Sequence, residues 1–117
     1  MKDFSPNQAS KKTGDGSIRE DWVVARFRAT LRERAAELSE RYSVKALGVF
    51  GAYVRNEQKK GSDLDILVEF HELLNLLKFV ELENYLSDLL GVKVDLVMKS
   101  GLKPGIGKHI MNEVVPL

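Results

Sequence analysis

Asp63 and Asp65 stand two residues apart in the segment SDLDILVEF, residues 62 to 70. The segment alternates as a strand does, and in a strand successive side chains project to opposite faces. The two carboxylates therefore share one face, while Leu64, Ile66, Val68 and Phe70 share the other. A carboxylate pair held rigidly in this way can bridge two Mg²⁺ ions about 4 Å apart, the arrangement that phosphoryl and nucleotidyl transfer require. Taken alone, the pair fits a solvated strand face better. A third acid tips the reading toward chemistry. In VKVDLVM, residues 92 to 98, Val92, Val94, Leu96 and Met98 form an apolar face, and Asp95 points the other way with Lys93 and Val97. If the two strands are neighbours on one core, Asp63, Asp65 and Asp95 converge on one surface. Converging carboxylates repel one another unless a cation lies between them. Oxygen ligands of this kind select Mg²⁺ or Mn²⁺ over zinc.

Ahead of the acids lies GAYVRNEQKKG, residues 51 to 61. A glycine at the end of a strand, opening into a short helical turn, lets backbone N–H groups approach an anion closely. Arg55, one turn on, is placed to grip a phosphate through its two-pronged guanidinium. By itself Gly-x-x-x-Arg is also an ordinary strand-to-loop turn with a surface arginine. Eight residues before a carboxylate pair, it reads as half of a site for a triphosphate and metal. Lys59 and Lys60 in the intervening loop read as solvated charges.

The elements that must position these residues follow from periodicity. Ser17 and Glu20 have capping-box spacing, so a helix is expected to start there. Val24, Phe27, Leu31, Leu38 and Tyr42 continue it as one amphipathic helix, with Arg26, Arg32, Glu33, Glu37 and Glu40 on the other face. Trp22 suits a core or partner contact better than a cofactor ligand. Val44 to Phe50 reads as the first strand, ending at Gly51. Glu72 to Leu90 reads as a leucine-rich helix with Leu76, Phe79, Val80, Leu86 and Leu90 facing inward, and Gly91 as its C-terminal stop. Pro104 opens a last short helix, which Gly105 and Gly107 weaken. The expected fold is α/β: a small mixed sheet covered by helices mainly on one face, with the aspartates pointing from the uncovered face.

Composition limits the function classes. The chain has 117 residues, 44% hydrophobic and 30% charged, as befits one small globular domain. A formal net charge of +1 gives no basic excess of the kind a dedicated nucleic-acid binder carries. Absence of cysteine excludes disulfides, thiolate zinc sites and cysteine nucleophiles, and is compatible with the cytoplasm. No apolar run approaches the roughly 20 residues of a membrane span. Residues 1 to 16 are polar and are expected to form a flexible tail ahead of a domain over residues 17 to 117. His71 and His109 read as surface residues.

Residues 48 to 70 resemble the signature of the minimal nucleotidyltransferases, a branch of the DNA polymerase β-like superfamily: Gly-Ser-x-x-Arg-Gly, then Ser-Asp-x-Asp and two apolar residues before Val. The similarity continues through the leucine-rich helix, the VKVDLV strand and the LKP…EVV tail, covering roughly residues 18 to 117. It implies a mixed sheet backed by helices. It also implies that Asp63 and Asp65 bind Mg²⁺, that Asp95 completes the catalytic and metal site, and that Gly51, Ala52 and Arg55 hold the triphosphate of ATP. Many members act as antitoxins of a helical HEPN-domain RNase, and some transfer AMP from ATP to a tyrosine of that toxin. The implied function is Mg²⁺-dependent adenylyl transfer to such a partner.

Two positions depart from the signature. Ala52 replaces its serine and removes a hydroxyl expected on a triphosphate oxygen, a loss on the order of 1–3 kcal/mol for a charged acceptor. Asn56 replaces its second glycine, a milder change because asparagine tolerates left-handed backbone geometry. An active enzyme, slowed by Ala52, is expected. Two alternatives stay open: a weak catalyst that neutralises its partner by contact alone, and a transferase for a small-molecule hydroxyl. The sequence leaves self-association open.

Overall fold

A computed structural model describes residues 16–117. The expected tail falls outside the described residues apart from Gly16, and so do the side chains of the Ser17–Glu20 capping pair. Helix α1 spans Gly16–Glu33 and α2 spans Ala35–Tyr42, where the periodicity predicts a single helix. The break falls at Arg34, whose N–H bonds back three residues to Leu31 rather than four. Nothing in the side chains marks it: Arg34 is neither Gly nor Pro, and the apolar seam keeps its phase across the break. Val24, Phe27, Leu31, Leu38 and Tyr42 are all buried.

Strand β1, Val44–Phe50, has the predicted bounds, and β2 is Leu64–Phe70. Helix α3, Leu76–Leu90, is capped by the Asn75 side chain accepting the Lys78 N–H, and it stops at Gly91 in the left-handed conformation. Strand β3 is Val94–Met98; after a short 3₁₀ turn, α4 spans Pro104–Glu113 with proline in its first turn. The two glycines of α4 did not prevent it, and at Gly107 a Cβ would press on Leu102 at 3.2 Å. A two-residue strand β4, Val115–Pro116, which the sequence pattern did not announce, closes the chain onto β1.

The sheet order is β3-β2-β1-β4. β1 runs antiparallel to β2 and β4, and β2 runs parallel to β3, so the sheet is mixed as expected. One face carries the main core, where Leu64, Ile66 and Val68 meet Leu31, Leu38, Leu82 and Leu86 from the helices. Each such side chain contributes about 1.5–3 kcal/mol on burial. The other face is not left uncovered: Ile110 of α4 packs on Phe50 and Leu67, with Val97, Leu102 and Val114 around them.

Two inward assignments in α3 are corrected. Leu76 is 77% exposed and Val80 43%, whereas Leu82, Leu86 and Leu90 are buried and Phe79 is partly so. The helix begins four residues later than its leucine content suggests, and its seam runs through residues 79, 82, 86 and 90. Leu76 and Val80 lie on the flank of that seam, beside exposed Leu73 and Leu77. Trp22, at 64% exposure, lies outside the core. Among the described residues no helix is long and apolar enough to cross a membrane.

Candidate active site

The C-terminal end of β1 and the N-terminal ends of β2 and β3 meet at one end of the sheet. The register puts Phe50 opposite Asp65, and Asp65 opposite Asp95. The two acids are thus nearest neighbours on adjacent parallel strands; their place in each apolar alternation accounts for the shared face and the register for the pairing. Asp63 stands one residue before β2, where the Leu64 N–H bonds the Lys93 carbonyl at 2.8 Å. β3 is the sheet edge, and α3 braces it: Ser87 Oγ accepts the Val94 N–H and Glu83 Oε2 the Leu96 N–H, both at 2.9 Å. Asp95 lies between these two anchors.

The acids feel one another's charge. Partial burial, then Asp95 and Asp63, push the Asp65 carboxyl up to about 6, with Arg55 opposing the shift. Negative charge is concentrated here beyond what the protein neutralises, and the donors are all oxygens, which suits Mg²⁺. Among the described residues, no three acidic or histidine side chains are gathered closely enough to make a finished metal centre. Asp65 and Asp95 are the acids that the register sets side by side.

The Gly51 turn lies directly against it. Gly51 has φ +86°, and a Cβ there would run into the Asp65 carboxylate. The turn is closed by Val54 and Arg55 N–H groups donating to the Gly51 carbonyl, and by the Glu57 N–H donating to Ala52. Asn56 sits at φ 60°, the left-handed geometry anticipated for the position where the signature has glycine. Ala52 is half-buried in this turn and brings no hydroxyl.

Sequence reasoning missed Glu113. Its Oε2 accepts the Gly51 N–H at 2.7 Å and its Oε1 accepts Arg55 Nη1 at 2.8 Å. Arg55 Nε donates to Glu57 at 2.9 Å. The two donors assigned to a triphosphate are therefore already engaged by a carboxylate. Burial pushes the Glu113 carboxyl up, but Arg55, the Gly51 N–H and the charge of His109 hold it below the usual range. The carboxylates of Glu113 and then Glu57 in turn raise Arg55. One signal could have exposed Glu113: it ends α4, where the helix dipole disfavours negative charge.

The family described as Nucleotidyltransferase domain matches residues 31–117. Protein adenylyltransferase MntA of Thermococcus cleftensis is 62% identical over 93 residues, covering 80% of this chain and 94% of the relative. A solved structure assigned as a minimal nucleotidyltransferase superposes with TM-score 0.65 and 37% identity, covering 84% of this chain and 95% of that one. A toxin–antitoxin solved with AMP-PNP shares the fold at TM-score 0.61 and 22% identity, over 73% of this chain and 69% of that one. The chain belongs to the nucleotidyltransferase family, in its minimal, MntA-like branch.

Proposed function

We propose that this enzyme transfers AMP from ATP to a tyrosine hydroxyl of a HEPN-type toxin and so serves as its antitoxin. The observation that carries the reading is the pairing of Asp65 with Asp95 against the Gly51 turn. The 62% identity to an adenylyltransferase supports protein as the acceptor, and relatives of the same fold have been solved as toxin–antitoxin complexes.

Asp63, Asp65 and Asp95 would hold Mg²⁺, which when bound supplies positive charge to the triphosphate and lowers the pKa of the acceptor hydroxyl. The protein's own part is placement. The Gly51 turn, with the backbone N–H of Ala52 and the guanidinium of Arg55, receives the triphosphate. The acceptor oxygen bonds to the α-phosphorus as the bond to pyrophosphate breaks, and Asp95, the most exposed of the acids, takes the hydroxyl proton. Ala52 supplies one donor fewer than serine would, which sets a slow rate. The reaction belongs in the cytoplasm, where ATP is held.

The test is incubation of the chain with Mg²⁺, α-labelled ATP and a HEPN-domain toxin protein. Label on a partner tyrosine, lost in Asp65→Asn, is the expected result. A stable complex with no label transfer would replace this reading with neutralisation by contact. Label on a small hydroxyl compound without any partner would replace it with small-molecule transfer.

A further inference from the structure

Glu113 is held from both sides. Before it, α4 is fastened through Ile110 to Phe50 and Leu67. After it, Val115 pairs with Val49 as β4 adds to β1. Its side chain is only 12% exposed. It ends a helix, where its charge is disfavoured, so its place must be set by what it touches, namely Gly51 N–H and Arg55. A group anchored on both flanks is poorly built to swing aside when an anion arrives. It is well built to fix the turn beneath one.

We propose that Glu113 is a positioning residue for the nucleotide: it locks the Gly51 turn and aims Arg55, so that the remaining edge of the guanidinium faces the triphosphate. Glu113 takes Nη1 and Glu57 takes Nε, which leaves Nη2 for a phosphate oxygen. Glu57 is 62% exposed and cannot hold Arg55 in one place by itself. The inference rests on the reading of this site as an ATP site, and it gives the last residues of the chain a part in nucleotide binding.

The experiment is calorimetric binding of AMP-PNP with Mg²⁺ to the full chain and to Glu113→Gln, which keeps the volume and an acceptor for Gly51 but loses the charge. Loss of one charge-assisted pair predicts affinity weaker by about ten- to a hundredfold. In adenylylation assays the change should fall mainly on KM for ATP rather than on kcat. In an Arg55→Gln background, Glu113→Gln should add almost nothing, because the residue acts through Arg55. Glu113→Asp, which keeps the charge on a shorter arm, should bind between wild type and Glu113→Gln, and it carries the comparison if the glutamine variant does not fold. Unchanged or tighter binding in the folded variant, or full additivity with Arg55→Gln, overturns the proposal. Tighter binding in particular would make Glu113 a competitor for the anion seat. Wild type that binds AMP-PNP but labels no protein partner would sink adenylylation of a toxin and leave the Glu113 comparison standing. Wild type that binds no nucleotide would sink both.

Discussion

Gly51 meets two demands at once: a positive φ, and an Asp65 carboxylate where a Cβ would lie. Gly51→Ala should therefore cost more than the 1–2 kcal/mol of left-handed geometry alone, because Asp65 must also move off its register with Asp95. Urea denaturation should show the loss, and nucleotide transfer should fall with it. Asn56 meets only the first demand. Asn56→Gly should leave stability within about 0.5 kcal/mol, while Asn56→Ala should lose about 1 kcal/mol in the same titration. At this scale the sequence was legible wherever a residue's role followed from local period or backbone preference. Asp65 and Asp95 share a face by alternation, though their register was not written in it, and Asn56 is left-handed as its type allows. Arg55 was only half legible, since its partner Glu113 lies 58 residues away and no local pattern links them.

Elements were legible where an apolar seam is long enough to fix its own phase. β1 and the α1–α2 seam follow the pattern, as do the stop at Gly91 and the proline start of α4. The first turn of α3 was misread because leucines at 73, 76 and 77 mimic a buried face that the core does not reach, and of this leucine cluster only Leu74 packs against it. Leu82→Ala, at a site with no exposure, should cost about 2–5 kcal/mol. Leu76→Ala, at 77% exposure, should stay within about 0.5 kcal/mol. Thermal or urea unfolding of the two variants checks the corrected seam, and equal losses would restore the original one. The two-residue β4 was invisible for a different reason. Two residues carry no period, and Pro116 cannot donate to a ladder; only the neighbouring edge of β1 makes a strand of them.

For the molecule as a whole, the acidic end of the sheet links folding to protons and, on the proposed function, to metal. Asp65 is held at about 6 in the metal-free protein, chiefly by burial and then by Asp95 and Asp63, against about 3.9 in an unfolded chain. The folded state therefore binds the proton more tightly, and this residue's contribution to stability is complete below about pH 4. As pH rises from there through 6 the contribution is lost, because the native state must then hold an ionised carboxylate against its neighbours. Metal-free protein should thus lose stability across that window, beyond the behaviour of Asp65→Asn, which has no proton to lose. Mg²⁺ held by these carboxylates, as proposed, would reverse the sign: a cation between them favours the ionised form, so its binding would expel the proton below about pH 6. Titrating Mg²⁺ at pH 5.5 in two buffers of different ionisation enthalpy measures that release directly, and the release should vanish in Asp65→Asn. Mg²⁺ that raises the melting temperature without releasing a proton would be binding elsewhere, and the acids at 63, 65 and 95 would lose their claim to the metal.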